Sequence, residues 1–221
     1  MLHNDTLAES DGRVQGDIRP ATHDGVASLR EEQVRQTRAA LLDAGRAQFG
    51  TKGYAATSVD DLVTAAGVTT GALYHHFENK TELFAAVFEL VHREVLVRNG
   101  QAAAGATTAL DALRRAFDDF LDAVLEPDVR QIMITDGPSV LGLARFTDLD
   151  ERYALQAVVA LLQRAGADGE LAVSEPDALA HLLLGALVRG AMLIAASPDP
   201  RLTRDGVSRT VGELLAGLAP R

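Results

Sequence analysis

The chain has 221 residues, enough for one large domain or two small ones with a real core. It carries a formal charge of −10, has no cysteine, and is 47% hydrophobic with only 5% aromatic residues. The missing thiols exclude a disulfide framework, thiolate catalysis and thiolate metal sites. Abundant Ala and Leu favour helices.

Residues 1–28 are polar and without periodicity, and read as a disordered arm. Arg13 and Arg19 on that arm can reach an anionic partner, although a plain tail is the simpler reading. The arm lacks a basic-then-apolar signal pattern. The first helix is expected at about 29–51, with Val34, Ala40, Leu41, Ala44, Ala47 and Phe49 facing inward and Gly53 turning the chain.

Between Thr57 and Glu82 the sequence predicts two short helices around a Gly turn, then the capped start of a third. Ser58 is a good N-cap, and Asp61 completes its capping box. Val59, Leu62, Val63 and Ala66 form an apolar face at helical spacing. Gly67 can take the left-handed conformation that ends a helix, and Val68 plugs the turn into the core. Thr69 caps the second helix, which runs to about His76 and buries Ala72, Leu73 and Phe77. Asn79 with Glu82 predicts another capping box at the head of a long helix.

The positions left outside suit a phosphate-flanked groove. Thr69, Thr70 and the Gly71 backbone are small enough for close approach to base edges. Tyr74, His75, His76 and Lys80 can donate to phosphates, although partial burial and helix capping suit His76 equally well. Thr57 and Ser58 add donors at a helix N-terminus. The run from Gly67 to Lys80, G-V-T-T-G-A-L-Y-H-H-F-E-N-K, resembles the recognition-helix signature of TetR/AcrR-type transcriptional regulators, and residues 47–63 resemble the preceding phrase. The resemblance covers roughly residues 30–85. It implies that Thr69, Thr70, Gly71, Tyr74, His75 and Lys80 contact DNA, with Thr57 and Ser58 on phosphates. The rest of the chain resembles the family only in layout.

The charge is compatible with this reading. Residues 29–80 carry six basic and six acidic side chains, so the acidity lies outside them. Affinity is then expected to be salt-dependent and to need two heads.

Downstream, the helix after Asn79 carries Leu83, Phe84, Val87, Phe88, Val91 and Val95 and ends between Gly100 and Gly105. A helix of about 107–125 shows Leu110, Leu113, Phe117, Phe120, Leu121 and Val124. A short helix at 127–135 is expected to break at Asp136-Gly137-Pro138. Another spans about 148–165, opened by an Asp148/Glu151 box. Ser174 with Asp177 is expected to cap a helix of 176–196, closed by Pro198 and Pro200; the last helix is about 203–218. Strand alternation is absent. The fold class is all-α: an N-terminal three-helix helix-turn-helix head (29–80) joined to a C-terminal helical ligand-binding and dimerisation bundle (81–221).

The 176–196 helix is apolar nearly all round, with Gly185, Ala186, Gly190 and Ala191 allowing close approach. With the stripe Val207, Val211, Leu214, Leu215 and Leu218 it predicts homodimerisation through helices 176–196 and 203–218. The apolar run Leu182 to Ala196 is interrupted by Arg189 and reads as too short for a bilayer. A cytoplasmic protein without a membrane partner is expected.

The family resemblance implies a small-molecule pocket between head and dimer helices. Its candidate lining is Phe117, Phe120, Met133, Leu141, Phe146, Tyr153 and Met192, with Asp136, Arg145, His181 and Arg189 as polar groups. Each of these apolar side chains also suits plain core, and Arg145 suits a surface ion pair with its acidic neighbours. Nucleophile-plus-base arrangements, phosphate loops and metal-spaced ligands are absent from the sequence, so no enzyme, metal or cofactor is expected. The expected function is a ligand-responsive homodimeric regulator that binds a double-stranded DNA operator, as a repressor. An activator, or a helical interaction module without specific DNA binding, is the alternative.

Overall fold

A computed structural model describes residues 23–220, except the side chains of residues 23–28 and of Asp150. Arg13, Arg19 and the expected arm up to residue 22 lie outside the described residues. By its contacts the chain divides after Arg35. The described residues of the first unit belong to helix α1 (His23–Lys52). There Leu29 and Val34 are exposed and Arg35 pairs with Glu32. Helix α1 therefore starts six residues before its expected position, and Val34 is not a core residue. Ala47 is also exposed, because Leu41, Ala44 and Phe49 set the buried face and Ala47 falls outside its edge.

In the unit Gln36–Arg221, helices α2 (Val59–Ala66) and α3 (Thr70–His76) are followed by the long α4 (Lys80–Ala104). Leu41, Phe49, Leu62, Leu73, Phe77, Leu83 and Phe84 are buried together. Phe84 packs edge-on against Phe49 and Tyr54, with ring centroids 5.3 Å apart in each pair. Such pairs contribute about 0.5–1.5 kcal/mol each beyond their burial. They fasten the end of α1 and its following loop to the start of α4.

The remaining helices are α5 (Ala109–Ala123), α6 (Pro127–Val129), α7 (Gly137–Leu141), α8 (Leu143–Asp150), α9 (Gln156–Ala167), α10 (Pro176–Ala195) and α11 (Pro200–Ala216). Two π-helical stretches interrupt them, Arg130–Asp136 before α7 and Glu151–Leu155 before α9. Helix α5 packs on α4, α9 and α11, and α10 packs on α9 and α11. The described residues contain no strand, as the all-α expectation requires.

Four local expectations are overturned. Asp136-Gly137-Pro138 does not break the chain: the run stays helical to Leu141, and the break falls at Gly142, whose φ is 76°. The wider π turn before Pro138 accommodates a ring that would clash with an ordinary α turn. Asp148 and Glu151 lie within a continuous helical run and cap nothing; Asp148 accepts from Arg152 one turn later. Helix α10 starts after Glu175 without a side-chain cap, Pro176 filling a first-turn position that needs no N–H donor. The last helix begins at Pro200, three residues early, where Asp199 accepts from the Leu202 N–H at 3.1 Å.

Helix α10 is twenty residues long, and by length and composition alone it could cross a bilayer. The expected run stopped short because it omitted the first turn from Pro176. Leu183, Leu187, Ala191 and Ile194 on this helix are buried in the protein.

Candidate functional site

The caps form largely as the residue types dictate. The Asp61 N–H donates to Ser58 Oγ at 3.0 Å, and the Ser58 N–H returns to Asp61 Oδ2 at 2.9 Å. The Ser58 donors, then Lys52 Nζ at 3.0 Å, hold the Asp61 carboxyl down to about 2. Gly67 takes φ 66° and ends α2. Thr69 Oγ1 accepts from the Ala72 N–H at 3.2 Å. With Leu73 and Phe77 buried behind it, α3 leaves Thr69, Thr70, Gly71, Tyr74 and His75 exposed, and Ser58 is exposed nearby in sequence at the start of α2. His76 is half-buried against His75, and burial, then His75 and Arg38, push its imidazole down. That burial and the positive charge of Arg38 favour the neutral ring.

Thr57 and Lys80 are placed differently from the expectation. Thr57 is 1% exposed and donates its hydroxyl to the Gly53 carbonyl at 2.8 Å. Lys80 Nζ donates to the Tyr54 and Thr57 carbonyls, each at 2.9 Å, and lies 4.1 Å from the Tyr54 ring centroid. A buried hydroxyl and an ammonium with two donors spent inside the loop support the surface from behind. The loop 53–57 has open carbonyls that an ammonium satisfies better than water.

The Asn79 box is half-formed. Its Oδ1 accepts from the Glu82 N–H at 3.0 Å, but the Glu82 carboxylate meets Arg145 of α8 in a fork, at 2.7 and 2.9 Å. The fork holds the Glu82 carboxyl below its ordinary value. Arg145 is therefore a long-range partner of α4, not a local surface pair. Asp136 instead meets the loop after α1, its Oδ2 accepting from the Tyr54 N–H at 2.7 Å. Asp128 meets Arg46 of α1 at 2.9 Å, and Arg46 also pairs with Glu94. Three polar links thus tie the segment 127–145 to the end of α1, the loop at Tyr54 and the start of α4. A side chain at Gly50 would collide with Asp128, its Cβ falling 2.6 Å from that residue's Cβ, so the close approach needs glycine.

A cavity of about 240 Å³ lies among α4, α5, α9, α10 and the second π stretch. Of the expected lining residues it takes Phe117, Phe120 and Tyr153. Phe146, His181 and Met192 line a separate groove with Pro138 and Gly185. Met133 is buried core. His181, expected as a polar group of the pocket, faces Glu151 at 3.4 Å and is exposed. The polar groups that do line the cavity, His92 and Asn99, escaped sequence reading because they sit on the long α4 among ordinary surface polar residues. Their signal was the helical spacing of Phe88, His92 and Val95 on one buried stripe. Burial holds the His92 imidazole down to about 4. Its ring lies 5.7 Å from Phe88 and 5.4 Å from Tyr153.

Residues 41–87 match the family described as bacterial regulatory proteins, tetR family, and residues 110–218 match the tetracyclin repressor-like C-terminal domain. A crystal structure of a TetR-family transcriptional regulator from Pectobacterium atrosepticum is 34% identical, with a TM-score of 0.78 over 86% of this chain and 97% of that one. The chain belongs to the TetR family of transcriptional regulators. It is also 27% identical over 157 residues to the transposon Tn10 TetC protein of Escherichia coli, covering 70% of this chain and 78% of the relative. Over 62 residues, 28% of this chain and 30% of the relative, it is 40% identical to the HTH-type transcriptional regulator TtgR of Pseudomonas putida. Members of the TetR family are DNA-binding transcriptional regulators.

In this TetR-family chain the outer faces of α10 and α11 leave Leu182, Leu193, Leu202 and Leu214 exposed. A groove between the two helices is lined by Ala186, Gly190, Leu193, Val207 and Leu214. A Cβ at Gly190 would fall 2.6 Å from Val207 Cγ1, so glycine there lets the two helices meet closely.

Proposed function

We propose that this protein is a cytoplasmic, homodimeric repressor that leaves its DNA operator when a small molecule fills the cavity lined by His92, Asn99 and Tyr153. One observation carries the reading: α3 is capped at Thr69, backed by Leu73 and Phe77, and turns Thr70, Gly71, Tyr74 and His75 to solvent. In this reading Thr69, Thr70 and Gly71 approach base edges in the major groove, while Tyr74, His75 and Ser58 take phosphates on either side. Thr57 and Lys80 keep the loop behind that surface in shape.

The exposed leucines of α10 and α11 support a twofold dimer, since a helix pair apolar on its outer face lowers its free energy by burying that face. Such a dimer places two recognition helices about 34–36 Å apart, or a multiple of that. Helix α4 carries both the cavity's His92 and Asn99 and the Leu83 and Phe84 buried with the head, which gives the cavity a physical route to the head. A ligand shifts the equilibrium only by its differential affinity for the DNA-competent and released arrangements.

The test is fluorescence anisotropy against DNA flanking the protein's own gene, with scrambled competitor, at two salt concentrations. Tight competitor-resistant binding that is lost on replacing Thr70 and Tyr74 together by Ala is the expected result. Specific binding that survives the double replacement removes α3 from the role of reading helix.

A further inference from the structure

We infer that the cavity takes a neutral, single-ring aromatic molecule of about ten non-hydrogen atoms carrying one hydroxyl. This rests on the reading of the cavity as the effector site and names the class of effector.

Size comes first. An apolar cavity of about 150 Å³ holds benzene. On that scale the 240 Å³ available here suits one ring with a short substituent, about ten non-hydrogen atoms. Two linked rings, about twelve non-hydrogen atoms or more, exceed that size.

Charge comes second. The lining contains no Asp, Glu, Lys or Arg. A carboxylate or ammonium entering it would lose its hydration shell with no counter-charge to replace it. His92 supplies no cation at neutral pH, because burial holds its imidazole down to about 4.

Shape and polarity complete the case. Four rings face the space, His92, Phe117, Phe120 and Tyr153, delivered by α4, α5 and the π stretch before α9. Rings meet rings edge-to-face or offset, and so favour a flat guest over a flexible chain. The hydrogen-bond network orients the Asn99 amide so that its nitrogen donates to Asp119 Oδ2 at 2.9 Å and to the Val95 carbonyl at 3.0 Å. Its carbonyl oxygen is left as an acceptor, which a hydroxyl on the guest satisfies.

Isothermal titration calorimetry on the full chain without DNA tests this with four probes: 4-propylphenol, 4-propylbenzoate, 4-propylbenzylamine and 1-nonanol. The phenol is expected to bind saturably and at least about tenfold tighter than each of the others. Ala157→Phe, which fills the cavity from its α9 wall, is expected to abolish the binding; thermal unfolding of that variant confirms that it folds. Asn99→Leu is expected to weaken the phenol while leaving 4-propyltoluene unchanged. Equal or tighter binding of the benzoate, the ammonium or the nonanol overturns the proposed class and leaves the cavity as a binding site. Binding by none of the four overturns both the class and the effector reading. Operator DNA is absent from the titration, so failure of the repressor reading is scored separately.

Discussion

Lys80→Met separates a loop strut from a phosphate contact. The substitution keeps the apolar stem and removes the ammonium, which donates to two carbonyls at 2.9 Å and sits over the Tyr54 ring. Hydrogen bonds to charged groups contribute about 1.5–3 kcal/mol each. Water can reach this half-buried site, so the lower end applies, and the ring contact adds about 0.5–1 kcal/mol. The expected loss is about 3.5–4 kcal/mol of unfolding free energy, or a Tm lower by about 10 °C for a chain of this size. Urea unfolding measures the first effect. Anisotropy as a function of KCl concentration measures the second: affinity falls because the loop behind α3 loosens, yet the slope of log K against log salt stays the same. If Lys80 instead neutralised one phosphate per head, a dimer would lose about 1.8 from that slope. A shallower slope with unchanged stability refutes the strut.

Asp136→Ala strips the Tyr54 N–H of its acceptor and is expected to destabilise the chain by about 1–3 kcal/mol. Asp136→Asn, whose amide oxygen can still accept, is expected to recover most of that in the same urea titration; a null effect of Ala removes the link. The Asp61 carboxyl is depressed from 3.8 to about 2, so its contribution is present in full above about pH 4 and fades as pH falls toward 2. Ser58→Ala is expected to flatten the acid limb of the stability–pH curve in that window, and an unchanged limb contradicts the capping box as its source. Leu193→Glu with Leu214→Glu places charges on the exposed faces of α10 and α11 and is expected to convert the proposed dimer to monomer in sedimentation equilibrium. A dimer that persists puts the interface elsewhere.

The helix-turn-helix could be read from sequence because each of its instructions is local. Ser58, Gly67, Thr69 and Asn79 act on backbone groups within four residues, and Leu62, Leu73 and Phe77 need only helical spacing to define a buried side. The same locality explains the all-α class and the apolar outer faces of the last two long helices. What the sequence could not determine is the destination of a side chain that reaches across the chain. Glu82 belongs by spacing to a capping box, yet it pairs with Arg145; Asp136 resembles a turn residue, yet it caps Tyr54. A charge or hydrogen bond is satisfied by whichever partner is nearest in space, and only packing decides which partner that is. The cavity has the same origin. His92 and Asn99 become its polar groups because α5, α9 and α10 close around one stripe of α4, whereas Phe146 and Met192, as aromatic or apolar as Phe117, line a neighbouring groove beside α8 and α10. Thr57 turns inward for a similar reason: its hydroxyl finds the Gly53 carbonyl in a loop whose shape Lys80, Asp136 and the Phe49–Tyr54–Phe84 rings set together. Local chemistry wrote the exposed helix α3, and tertiary contact chose what stands behind it.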